Sequence, residues 1–184
     1  MSNNKLYTET TAPEGARQTL QEVKSNFGFI PNLMATMAES PALLKAYAMI
    51  SQIFEETSFS NTEKQLVLLA ASHENACYYC MAAHSTVALM HKVPASIIDA
   101  LRDGRPLVDT KLEALRQFVR TMVRNRGHAT DKEVQAFLDA GYTRTHIFDV
   151  LVGIGMKTLA NYTNHIADTP LDVAFQPQEW KKAG

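Results

Sequence analysis

Residues 73 to 91 read HENACYYCMAAHSTVALMH and contain both cysteines of the chain. On a helix, Glu74, Cys77, Cys80, His84 and His91 follow in steps of three, three, four and seven residues, which keeps all five near one face. A thiol attacks only as its thiolate, and a free pKa of about 8.5 leaves a few per cent of that form at neutral pH. His84, one turn after Cys80, is placed to take the proton. Glu74, one turn before Cys77, is placed to orient the imidazole directly or through a water. Cys77 then lies near enough to resolve an oxidised Cys80 sulfur into a disulfide. The pattern is that of a thiol, base and carboxylate relay serving two-electron redox chemistry.

Other readings compete. Free cysteines also pack as small hydrophobes, which would make the pair inert. Cys77, Cys80 and His84 are also three zinc-ligand types, with His73 or His91 available to complete a tetrahedron. Against zinc, ligands on one helix diverge from a point, and no second such cluster exists in the sequence; no metal or cofactor is expected. For His91 a solvated helix end is the simpler role. Asn75 offers to cap a new helix, putting both thiols in its first turns, where free N–H groups favour a thiolate.

The elements that position this stretch are helical. Ser60 with Glu63, Thr110 with Glu113 and Thr130 with Glu133 read as capping boxes, while Pro41 and Pro94 fit first helical positions. Gly104, Gly127 and Gly141 mark helix ends. Apolar residues recur at helical spacing in Leu43, Leu44, Tyr47, Ile50 and Phe54, in Leu112, Leu115, Val119 and Met122, and in Ile147, Val150, Leu151, Ile154, Thr158 and Tyr162. The longest helix is expected over about Thr143 to Ala167, with Gly153 and Gly155 packed closely against a neighbouring core helix. Asn161 and His165 are read as a hydrogen-bonded face of it, and Tyr78 and Tyr79 as pocket-wall or interface aromatics. The expected organisation is a polar arm over 1–12, one domain over 13–168 and a tail over 169–184 that wraps the surface or a neighbouring subunit.

Eighteen Lys and Arg against nineteen Asp and Glu give a charge of −1, with no basic excess to attract nucleic acid or a membrane surface. Two cysteines in one tetrapeptide do not make a secreted disulfide scaffold. The first residues carry no apolar export segment, so a cytoplasmic location is expected.

The phrase FSNTEKQLVLLAASHENACYYCMAAHSTVA, with Gln65, Glu74, Cys77, Cys80 and His84 in it, resembles the core signature of the alkylhydroperoxidase AhpD and carboxymuconolactone decarboxylase superfamily. The resemblance covers roughly residues 40–125, and NYTNHIADTPLD resembles the C-terminal part of peroxidase-related members. It implies an all-α, AhpD-like helical bundle whose protomers associate into dimers, trimers or hexamers. It also implies a peroxide-reducing cycle with Cys80 attacking, His84 as base and Cys77 resolving, renewed by a thioredoxin-like protein or a lipoyl domain. AhpD carries a glutamate where this chain has Gln65 and a histidine where it has Tyr79; an amide takes up no proton, so the relay carboxylate is assigned to Glu74. Two alternatives to a hydroperoxide reductase are a cofactor-free decarboxylase-type lyase using His84 and Glu74, and a non-catalytic redox-sensing oligomer.

Overall fold

The computed structural model describes residues 5–181. The chain forms α1 (Glu14–Phe27), α2 (Asn32–Met37), α3 (Pro41–Glu55), α4 (Asn61–Glu74), α5 (Tyr78–Met90), α6 (Ala95–Arg102), α7 (Thr110–Arg124), α8 (Asp131–Asp139) and α9 (Arg144–Ala167), followed by a 3-10 turn at Val173–Gln178. There is no strand among the described residues. None of their helices is long and apolar enough to cross a membrane.

Local chemistry starts most of these helices. Ser60 with Glu63 and Thr130 with Glu133 form complete capping boxes, and Ser40 accepts from Leu43 N–H with Pro41 in the first turn. At α7 the cap is Asp109 instead of Thr110, because its carboxylate accepts from Leu112 N–H, while Glu113 turns to Arg116 and Leu107 N–H. Pro94 stands at the cap of α6, one position before the expected one. Gly104, Gly127 and Gly141 all have positive φ, as helix ends require.

Helix α4 is the axis of the fold. Lys64 through Ser72 are all buried, so the helix is enclosed on every side. It packs against α5, α6, α7 and α9, and α9 in turn packs on α3. Gly153 makes that crossing possible: a Cβ there would lie 2.7 Å from Val67 and 2.8 Å from Phe54, so α9 can approach α4 and α3 only without one.

Two expectations about packing change. The buried face of α9 is Val150, Gly153, Met156, Lys157, Ala160, Asn161 and Asn164, whereas Leu151 and Tyr162 are exposed. The apolar stripe therefore lies partly outside, with Phe148 and Ile166 also exposed, and the inward stripe is interrupted by polar residues. The arm is not free over its described part either, since Tyr7 is buried and its hydroxyl donates to Glu39; residues 1–4 lie outside the described residues. The tail lies along α5 of its own chain up to Lys181. Phe175 packs on Tyr79, Trp180 lies against Tyr78 and His73, and Arg102 donates to the carbonyls of Gln178 and Glu179. Residues 182–184 of that tail lie outside the described residues.

Candidate active site

The dithiol stretch is two helices. Helix α4 ends in a Schellman closure: Cys77 N–H donates to Ser72 O and Ala76 N–H to His73 O, each at 3.0 Å, with Ala76 at φ +50°. Cys77 is thereby the last residue of one motif and the N-cap of α5, and Cys80 sits in the first turn of α5. The free N–H groups there favour negative charge on Cys80. The break falls where the sequence suggested, but Asn75 closes α4 instead of opening α5. Its side chain donates to Asn161 Oδ1 at 2.9 Å and so ties the break to α9.

The break also redirects Glu74. Its carboxylate points to α7, accepting from Arg120 Nε at 2.5 Å and from Arg124 Nη2 at 3.2 Å. Burial alone would raise its pKa, but the hydrogen bonds from Arg124 and Arg120 hold it below the usual carboxylate range. Glu74 and His84 are not brought together, and the expected carboxylate relay is corrected accordingly. The physical reason is the left-handed Ala76, which rotates α5 away from the face on which Glu74 stands.

What meets the thiols comes from α9. Both cysteines are buried and reduced. Asn164 Nδ2 lies 3.2 Å from Cys80 Sγ and 3.6 Å from Cys77 Sγ. Lys157, 1% exposed, hydrogen-bonds Cys80 and approaches His84 Nε2 at 2.8 Å. His84 Nδ1 is 3.2 Å from Gln65 Oε1. An ammonium has only protons to give, so Nε2 is the acceptor and Nδ1–H donates to the Gln65 oxygen. The order is Cys80, Lys157, His84, Gln65.

This wiring sets the charges. Burial opposes a Cys80 thiolate, but the Cys77 thiol, the Lys157 charge and the Asn161 and Asn164 amides outweigh it and bring the pKa to about 6. Cys77 moves the opposite way, raised by its hydrogen bond to Cys80 and by burial. Burial alone would lower Lys157, yet the charge on Cys80 keeps it above its ordinary value. Burial and the adjacent Lys157 push His84 well below the usual histidine value, so it is neutral. Gln65 fits that state, because an amide oxygen accepts Nδ1–H without adding a charge. His84 holds the lysine; the ammonium holds the thiolate.

Cys80, with His84, Gln65 and Lys157, lines a cleft of about 1030 Å³ whose walls include Leu33, Met34, Leu68 and Phe175. Cys77 does not line it. Tyr79, between the thiols, lines the same cleft and donates to Asp172 at 2.5 Å, an oxygen pair that also takes Asn32 N–H. His91 is exposed at the cleft rim, and His73 packs against Trp180. Among the described residues, no three His, Cys, Asp or Glu side chains are grouped to hold a metal ion. Lys157 and Asn164 are the residues that sequence reasoning missed. Their signal was available as polar residues at 157, 161 and 164, spaced by four and three along one face of the helix.

The model of the carboxymuconolactone decarboxylase family matches residues 38–121, which contain the whole α4–α5 dithiol unit. An AhpD-core structure, an uncharacterised peroxidase-related protein from Ralstonia eutropha JMP134, superposes with a TM-score of 0.82 at 18% identity, covering 92% of each chain. The fold is AhpD-like, and residues 38–121 of the chain match the carboxymuconolactone decarboxylase family. A second peroxidase-related protein, from Silicibacter sp. TM1040, matches the AhpD-like chain with a TM-score of 0.78 at 17% identity over 91% of this chain and 90% of that one. The debrominase Bmp8, in complex with 2,3,4-tribromopyrrole, matches with a TM-score of 0.80 at 16% identity over 97% and 96%. No curated protein matches the sequence.

Proposed function

We propose that this AhpD-like chain is a thiol-dependent hydroperoxide reductase, with Cys80 the attacking thiolate and Cys77 the resolving thiol. The observation that supports it is the asymmetry of the pair: Cys80 lines the cleft, touches Lys157 and Asn164 and has its pKa brought to about 6, while Cys77 is held protonated behind it. Cys80 attacks the terminal oxygen of the hydroperoxide, the O–O bond breaks, and the sulfur leaves the step as a sulfenic acid with an alcohol as product. Cys77 then attacks that sulfur, expelling its oxygen as water and closing the disulfide. One hydroperoxide and one proton from solvent are consumed with the Cys80 thiolate and the Cys77 thiol.

A dithiol reductant of the thioredoxin or lipoyl class reopens the bond, and a reducing compartment such as the cytoplasm suits the cycle. The exposed Phe148, Leu151, Tyr162 and Ile166 of α9 support self-association. Stoichiometric hydroperoxide should consume two thiols per reduced chain. A Cys80→Ser variant reducing hydroperoxide at the wild-type rate would overturn the assignment.

The apolar cleft favours one further reading, reductive dehalogenation of a planar ring. There the Cys80 thiolate and the Cys77 thiol supply two electrons and one proton, a carbon–halogen bond is replaced by carbon–hydrogen, and halide is released as the disulfide closes. Halide release from 2,3,4-tribromopyrrole by the reduced protein, in the absence of hydroperoxide turnover, would select it. Substituting both cysteines by serine separates either redox reading from a lyase, whose turnover would survive.

A further inference from the structure

Tyr47 of α3 is 7% exposed and lines the same cleft as Cys80 and Lys157. Its hydroxyl makes no hydrogen bond to any described residue, yet it is not sealed in the core. A largely buried phenol whose hydroxyl spends no hydrogen bond within the protein calls for an explanation. The hydroxyl lies within electrostatic reach of Lys157, Cys80 and Cys77. Burial raises its pKa, and the negative charge on Cys80 adds to the rise against the opposing effect of Lys157, so it remains an O–H donor in the resting site.

We propose that Tyr47 is the general acid that protonates the oxygen leaving when Cys80 attacks, an inference that rests on the hydroperoxide reading. The Cys80 sulfur bonds to the terminal oxygen as the O–O bond breaks, and the departing alkoxide takes the Tyr47 proton to become the alcohol. The Tyr47 phenolate recovers a proton from the Lys157 ammonium, which no longer faces a thiolate. Other groups on the cleft are less suited: Lys157 directs its protons to Cys80 and His84, and the Gln65 amide donates a hydrogen bond but yields no proton. His84 is neutral with Nδ1–H on Gln65.

The test compares tert-butyl hydroperoxide, whose alkoxide is a poor leaving group, with peracetic acid, whose carboxylate leaves without help. In single-turnover reactions of the reduced full chain, Y47F should lose about 100-fold in rate with tert-butyl hydroperoxide. With peracetic acid it should stay near wild type, and the Cys80 alkylation midpoint should be unchanged. Equal losses with both oxidants, or none with tert-butyl hydroperoxide, would overturn the role of Tyr47 while leaving the dithiol cycle standing. A wild-type protein that reduces neither oxidant overturns the hydroperoxide reading and this inference with it. The wild type gives an independent check should Y47F fold poorly: a solvent deuterium isotope effect is expected with tert-butyl hydroperoxide and not with peracetic acid, and its absence with the former would contradict the proposal.

Discussion

Two charged clusters flank the break between α4 and α5, and they do opposite things. On the α7 side, Glu74 meets Arg120 and Arg124, two fixed cations on one carboxylate, with Arg124 more than half exposed. On the α9 side, Cys80 meets one enclosed Lys157, whose other neighbour is a neutral imidazole. The first cluster has charge to spare, and its carboxylate stays ionised and occupied. The second balances one soft anion against one cation beside a cleft, which leaves the anion able to react. The difference comes from what the opposing helix supplies, and not from spacing along the dithiol helix, which is similar on both sides.

The sharpest way to break this contrast is Lys157→Met. Without the ammonium, Cys80 should titrate toward the free-thiol value, which reduces its alkylation rate at pH 7 by about 30-fold. Thermal unfolding should confirm that the variant still folds. Glu74→Gln should leave the alkylation profile of Cys80 where it is but lower stability at neutral pH by about 1–2 kcal/mol, measured by denaturant unfolding. The pH dependence gives the sign. The folded-state pKa of Glu74 is depressed, so its contribution is complete above the unfolded value of about 4.3 and is lost as the pH falls through the folded value. The gap between wild type and variant should close in acid; a constant gap would point to packing instead. The smallest effect belongs to the break itself. Ala76→Gly should stabilise the protein by about 1 kcal/mol, because an L-residue at φ +50° carries a left-handed penalty that glycine does not.

The all-helical fold was readable because its signals are local. Ser60 with Glu63, Thr130 with Glu133 and the three positive-φ glycines needed only near neighbours to act. The thiols and the interruption of their helix were readable for the same reason. The partner of His84 was not, because it stands 73 residues away on α9, where counting apolar residues selected a face that lies partly outside. Leu151 and Tyr162 scored as core although they are exposed, while the buried Lys157 and Asn164 gave no apolar signal to count. Periodicity locates an apolar face but does not tell which neighbour covers it, and a buried polar site inverts the pattern it relies on. Gln65 illustrates the same limit: as a substitute for glutamate it looked like a lost proton acceptor, yet beside a neutral His84 it serves as a hydrogen-bond acceptor.

The central claim is that Cys80 is a thiolate at neutral pH because the Cys77 thiol, Lys157 and the α9 amides stabilise it. Its direct test is the rate of alkylation at Cys80 against pH in the reduced wild-type chain, with the modified cysteine identified by peptide mass. A midpoint near 6 is expected, with Cys77 unreactive across the neutral range. A Cys80 midpoint at or above about 8.5, the value of a free thiol, would contradict the account.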